Sequence, residues 1–298
     1  MLLPKFQYYA PENLREACEM LAGLKEKARP LAGGTDLLVN MKQGSLSPRY
    51  VVSLSKLKEL KGLGVKDKLF HIGPCVTAAE LAESSRVKHD FAALSMGAEN
   101  LGSPLIRNLA TIGGNLMSAR PAADLPPSLI AYGAKVVLKN KGGQRSVDLK
   151  EFFKGPGQTV AGPDEILSQI QLENPPPYSG AGYVKLGKRK ALEISLVNVA
   201  AFIALERPNG AIRDARIVLG SVAPVPMRAE SAEKALKGEK PGESLFAKVS
   251  QAAAKECKPI DDFRGSASYR RAMVAVLTKR ALNMAFDEAR ERELRRWK

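Results

Sequence analysis

The stretch ATIGGNLMSARPAADLPP, residues 110–127, decides how this chain is read. Gly113 and Gly114 stand between apolar Ile112 and polar Asn115, and Asp124 follows just before a Pro-Pro pair. A second stretch, LAGGTDLL at 31–38, repeats the double glycine ahead of a polar residue. Glycine admits positive φ and lets a ligand come within hydrogen-bond distance of successive backbone N–H groups. A helix N-terminus adds the positive end of a dipole, so such a loop can cradle a phosphate without a basic side chain. Two such loops could clasp a pyrophosphate from both sides, with Thr35, Asp36, Thr111 and Asn115 adding side-chain hydrogen bonds. On residues alone each pair reads equally as a turn, as KGGQ at 141–144 does. Neither loop matches GxGxxG or GxxxxGK[ST], so dinucleotide-fold and P-loop readings fail on their own motifs.

Composition narrows the chemistry. The 298 residues suit two or three lobes rather than one core. With 45% hydrophobic and 26% charged residues the chain reads as globular. No segment reaches the roughly 18 apolar residues of a membrane span. The start, MLLPKFQYYAPENL, lacks the pattern of a signal peptide, so a cytoplasmic location is expected. The 3 cysteines, Cys18, Cys75 and Cys257, are far apart, which rules out a CxxC metal site and argues against a disulfide framework. An iron–sulfur cluster needs about four thiolates. With only 2 histidines, His71 and His89, a Ser-His-Asp triad or a His-based zinc site is not expected either. Chemistry here must rest on a bound cofactor. The net charge of +15 is spread along the chain, with 6% aromatic residues and no stacking platform. It points to acidic partners or anionic ligands, not to nucleic acid.

Periodicity predicts a helix over PENLREACEMLAGLK, a strand at ARPLAGG and a short helix at TDLLVNMKQG capped by Thr35 or Asp36. Strands follow at RYVVSLSKL and KLFHIGPCVT, and TAAELAES opens a helix on a Thr77–Glu80 capping box. FAALSMGAENLGSPLIRNLAT reads as a helix with an irregular approach to the second glycine loop. LPPSLIAYG reads as a short proline-started helix with Asp124 as its N-cap. AKVVLKNKGGQRSVDL reads as a hairpin. ENPPPYSG at 174–181 is the best domain boundary. Three strands follow, with a Pro-Asn-Gly turn between the last two, then helices near 228–237, 243–256 and 266–296.

These motifs, in order, resemble the FAD-binding medium subunit of the molybdenum hydroxylases, the family of carbon monoxide dehydrogenase and the xanthine dehydrogenase flavin domain. AGGTDLL resembles the family's first flavin loop and IRNLATIGGNLMSARPAADLPP its second. IGPCVTAAEL, DEIL, YVKLGKRKALEISLVNVAA, ARIVLGSVAPVPMRAESAE and SASYRRAMVAVLTKRAL extend the resemblance to about residue 285. It implies an α+β fold: a two-lobed FAD-binding domain of the vanillyl-alcohol-oxidase (PCMH) type at 1–176, with lobes of about 1–58 and 59–176. A smaller α+β domain of the carbon monoxide dehydrogenase type would occupy 177–298.

The resemblance also implies site residues. Backbone at Leu31, Ala32, Gly33, Gly34, Thr35, Asp36 and Leu37, and at Thr111, Ile112, Gly113, Gly114 and Asn115, would hold the FAD pyrophosphate. Asp124 would lie near the ribityl and pyrophosphate region, besides capping its helix. Leu101 and Leu167 would be apolar flavin contacts. Lys185 would stand near the isoalloxazine edge, though on residues alone it reads equally as a solvated edge charge. Tyr132 and Tyr183 read as packing residues. Neither histidine sits in a flavin-linking position, so FAD is expected to be non-covalent.

The implied function is electron transfer. A large subunit would hold the molybdenum cofactor and a small subunit two [2Fe–2S] clusters, in a dimer of heterotrimers. This chain would pass electrons to NAD⁺ or another acceptor, with no catalytic acid or base, no metal, no nucleic acid and no membrane span. The rival reading is a stand-alone FAD oxidoreductase of the same fold acting on its own small substrate. The chain lacks the inserted cysteine loop of relatives that reduce aromatic acyl-CoA. Its tail, DEARERELRRWK, looks like a basic extension for subunit contacts.

Overall fold

Helix α1 (Leu14–Leu24) shows how closely local chemistry governs the first lobe. The Asn13 side chain accepts the Glu16 N–H at 3.0 Å, and Leu14, Ala17, Cys18 and Leu21 form the buried stripe. The computed structural model describes residues 2–189 and 192–296. Lys190 and Ala191, inside YVKLGKRKALEISLVNVAA, and Trp297 and Lys298, closing the basic tail, lie outside the described residues.

In chain order the strands are β1 (Gln7–Tyr9), β2 (Ala28–Leu31), β3 (Tyr50–Ser53), β4 (Leu63–Lys66), β5 (Leu69–Ile72), β6 (Lys135–Asn140), β7 (Gly143–Asp148), β8 (Phe153–Gly155), β9 (Gln158–Thr159), β10 (Ile166–Glu173), β11 (Ser179–Leu186), β12 (Val197–Leu205), β13 (Ile212–Gly220) and β14 (Met227–Arg228). The remaining helices are α2 (Leu37–Lys42), α3 (Ala78–Glu83), α4 (Ser85–Asp90), α5 (Ala92–Glu99), α6 (Pro104–Arg107), α7 (Ile112–Met117), α8 (Leu125–Ala131), α9 (Glu230–Lys234), α10 (Glu243–Glu256) and α11 (Ala267–Arg296).

The chain divides into two compact units. One comprises residues 1–80, 104–119 and 134–173. It holds a parallel sheet in the order β1-β3-β2 and an antiparallel sheet in the order β4-β5-β10-β6-β7. Strand β1 was not expected, because three residues are too few to show a period. The capping box is present: Glu80 Oε2 accepts the Thr77 N–H at 2.7 Å, and Thr77 Oγ1 accepts the Glu80 N–H at 3.2 Å.

The other unit comprises residues 81–103, 120–133 and 174–298. Its antiparallel sheet runs β11-β12-β13-β14, and every residue of β12 is buried. That follows from cover on both faces. Val197, Val199, Ala201, Ile203 and Leu205 pack into a core with α10 and α11. On the opposite face Phe202 meets the Tyr132 ring edge-on at 6.1 Å, and Asn198 Nδ2 donates to Ala123 O at 3.3 Å.

Candidate functional site

The first glycine loop leaves strand β2 and enters α2. Gly34 takes φ +76°, which favours glycine, and Gly33 is needed for space. A Cβ at Gly33 would stand 1.8 Å from Leu109 O, the backbone leading to the second loop. The two double-glycine segments therefore touch within one unit. Among the described residues, the backbone N–H groups of Ala32, Gly33, Gly34 and Thr35 have no protein acceptor. Asp36 occupies the N-cap position of α2, but its side chain makes no capping hydrogen bond.

The second loop is built differently. Residues 112–117 form helix α7 rather than an open loop, because Thr111 Oγ1 accepts the Gly114 N–H at 3.1 Å as N-cap. Ile112 N–H donates to Val76 O at 2.9 Å, Gly113 N–H to Pro74 O at 2.8 Å and Asn115 N–H to Thr111 O at 2.9 Å. The expected second row of free amides is thus absent, since the chain's own acceptors take them. Gly113 serves close packing: a Cβ there would lie 2.5 Å from Pro74 Cβ. What this segment offers instead is Asn115, whose buried Oδ1 has no hydrogen-bond partner. An amide group can present either oxygen or nitrogen by flipping, so it can meet a ligand donor or a phosphate oxygen.

In the other unit a polar cluster centres on Asp124. This residue precedes α8, yet its carboxylate makes no capping hydrogen bond, which corrects the dual role expected of it. Oδ1 accepts from Tyr183 OH at 2.8 Å and Ser195 Oγ at 2.7 Å, while Oδ2 accepts from Lys185 Nζ at 2.9 Å. Lys185 also donates to Asn100 O at 2.8 Å, so its charge is compensated and is no solvated edge charge. Tyr183 and Lys185 alternate on β11 and therefore share a face, opposite Ala200 and Asn198 of β12. Burial drives the Tyr183 phenol well above its ordinary pKa, and the Asp124 charge adds to this. The phenol is a fixed donor at neutral pH, not a packing residue.

The other expected positions have surroundings of their own. Leu101 and Leu167 are buried apolar residues, Leu167 on β10 opposite Leu138. Tyr132 packs edge-on against Phe91 at 5.2 Å. His71 Nε2 bonds Lys66 O at 3.0 Å, and His89 pairs with Asp90 at 2.8 Å. Sequence reasoning missed Ser195 and Asn198 and undervalued Tyr183. Only the i, i+2 spacing of Tyr183 and Lys185 on a predicted strand signalled a shared face.

Free amides, a cradle that a Cβ would fill and a buried amide oxygen lacking a partner fit a phosphate-bearing cofactor. Comparison with known proteins agrees. Residues 4–175 match the family described as FAD binding domain in molybdopterin dehydrogenase. Residues 182–285 match the CO dehydrogenase flavoprotein C-terminal domain. The glyceraldehyde dehydrogenase medium chain of Sulfolobus acidocaldarius is 33% identical, covering 94% of this chain and 98% of that one. The carbon monoxide dehydrogenase medium chain of Hydrogenophaga pseudoflava is 31% identical, covering 96% and 99%. The solved carbon monoxide dehydrogenase of Hydrogenophaga pseudoflava lacking the Mo-pyranopterin moiety superposes with a TM-score of 0.92 at 31% identity, covering 97% and 99%. Quinoline 2-oxidoreductase from Pseudomonas putida gives a TM-score of 0.91 at 27% identity, covering 97% and 100%. This chain belongs to the FAD-binding family of the molybdopterin dehydrogenases and is an oxidoreductase subunit with a CO dehydrogenase-type C-terminal domain.

Proposed function

We propose that this chain is the FAD-carrying electron-transfer subunit of a cytoplasmic molybdenum hydroxylase complex. It would take electrons from a partner [2Fe–2S] chain and pass them to NAD⁺ or another acceptor. The observation that supports this best is the row of free amides from Ala32 to Thr35, closed against the second glycine segment at Leu109. When bound, FAD supplies the redox chemistry and links single-electron donors to a two-electron acceptor.

The chain's residues bind and orient. Amides at 32–35 hold pyrophosphate oxygens, and Asn115 adds a side-chain hydrogen bond. Leu31, Asp36, Leu37, Thr111, Ile112, Gly113 and Gly114 hold the two loops in shape, while Leu101 and Leu167 give apolar contacts. Lys185 holds its ammonium beside the flavin, fixed by Asp124. No residue forms a covalent flavin link. A stand-alone oxidoreductase would need a substrate-facing acid, and Asp124 is unsuited because its carboxylate already accepts from three side chains.

Native mass spectrometry of the products of the neighbouring genes, expressed together, tests the reading. A complex of medium, large and iron–sulfur chains supports it, and an isolated monomer contradicts it. Bleaching of the flavin bands on adding NADH then identifies the pyridine nucleotide as acceptor.

A further inference from the structure

Two hydroxyls and one backbone carbonyl decide where the Lys185 ammonium points, and all of these groups lie in the second unit. The Tyr183 phenol and the Ser195 hydroxyl both donate to Asp124 Oδ1, at 2.8 and 2.7 Å, and all three residues are buried. A carboxylate oxygen that accepts two hydrogen bonds has its lone pairs filled. Only Oδ2 is left for Lys185 Nζ, at 2.9 Å. The backbone fixes this arrangement. Tyr183 and Lys185 share a face of β11. Leu196 N–H donates to Leu186 O at 2.8 Å, which ties the segment carrying Ser195 back to the end of that strand.

The second anchor of Lys185 is the Asn100 carbonyl, at 2.8 Å. Asn100 is the C-cap of α5, so the ammonium meets the negative end of a helix dipole as well as a carboxylate. An ammonium has three N–H donors, and these two acceptors take two of them. Among the described residues the third has no acceptor, although the side chain is only 7% exposed. The two fixed bonds set the direction of that third N–H. A donor so nearly buried costs free energy until something accepts from it.

We propose that Tyr183 and Ser195 are positioning residues for the flavin. By filling Asp124 Oδ1 they hold Oδ2 against Lys185, and so aim the third N–H of Lys185 at an acceptor atom of the bound ring. This rests on the reading that Lys185 stands beside the flavin. Without either hydroxyl the carboxylate regains a lone pair on Oδ1 and can turn both oxygens onto the ammonium, which draws the N–H off its acceptor. A cationic donor held to the ring favours the reduced, more electron-rich flavin, so losing it lowers the midpoint potential.

The test is spectroelectrochemical titration of the full chain loaded with FAD. It compares wild type, Tyr183→Phe, Ser195→Ala and Lys185→Met with the two double variants that add a hydroxyl substitution to Lys185→Met. Tyr183→Phe and Ser195→Ala are each expected to shift the potential negative, by less than Lys185→Met does. In the Lys185→Met background both should lose their effect. A merely structural role would lower the urea midpoint and leave the potential alone. Wild-type potentials in the hydroxyl variants, beside a shifted Lys185→Met, therefore overturn the proposal by itself. So does a hydroxyl shift that keeps its full size in the Lys185→Met background. A wild-type potential in Lys185→Met instead refutes the placement of Lys185 beside the flavin, and the proposal falls with it. Should Tyr183→Phe fail to fold, Ser195→Ala alone and in the Lys185→Met background decides.

Discussion

Lys185 and Asp124 form a buried ion pair, 2.9 Å apart with both side chains only 7% exposed. Removing one partner leaves the other charge without compensation. Asp124→Asn should cost about 3 kcal/mol in urea unfolding, because its amide nitrogen then faces the ammonium. Combining it with Lys185→Met should recover part of that loss. Additive losses would mean that the two residues are not energetically coupled.

If Lys185 stands beside the flavin as proposed, the same pair should set its potential. With Asp124 neutralised, the Lys185 charge is no longer balanced, so the midpoint potential of bound FAD should rise. Lys185→Met should move it the other way. Spectroelectrochemical titration of the two variants checks the signs, and potentials equal to wild type would separate the pair from the cofactor.

Gly33→Ala should be the most damaging of the loop substitutions, since its Cβ would meet Leu109 O at 1.8 Å and backbone must move. A cost of about 3 kcal/mol is expected, with FAD affinity lost as well. Gly142→Ala, in the hairpin turn, would meet its nearest atom, Asn140 Oδ1, at 3.4 Å and should be tolerated. Urea midpoints and fluorescence titrations with FAD distinguish the two.

Burial pushes the Cys75 thiol up to about 11. Its alkylation by iodoacetamide in the folded chain should therefore be slow at neutral pH and accelerate as pH rises toward that value. Mass-spectrometric mapping of the alkylated site against pH checks this.

The Arg264 hydrogen bonds, with a further contribution from Arg270, hold the Asp262 carboxyl well below the usual carboxylate range. A depressed folded pKa gives stability that is present above the unfolded value of about 3.9 and is lost as pH falls below it. Asp262→Asn should be destabilising at neutral pH, and the gap from wild type should narrow at about pH 3. A constant gap in urea midpoints would contradict the linkage.

Much of this was legible before the structure. Helical spacing marked α1, and Thr77 with Glu80 marked the start of α3, because both signals are local. The double glycines marked the two touching segments, but not their asymmetry. That Gly113 and Gly114 lie in a helix depends on acceptors at Pro74 and Val76, about forty positions away in the chain, which no local pattern announces. Asp124 was legible as a helix start, but its actual partners, Tyr183 and Lys185 on β11 and Ser195 just ahead of β12, lie about sixty to seventy positions away, which no local pattern announces.

One non-covalent FAD is expected on each copy of this chain. The direct measurement is the flavin released when the complex, purified with its partner chains, is precipitated with acid, counted per copy of this chain. One FAD per chain is expected in the supernatant for the wild type, with a large loss for Gly33→Ala. Absence of flavin from the wild-type complex, or flavin that stays with the precipitated chain, would contradict it.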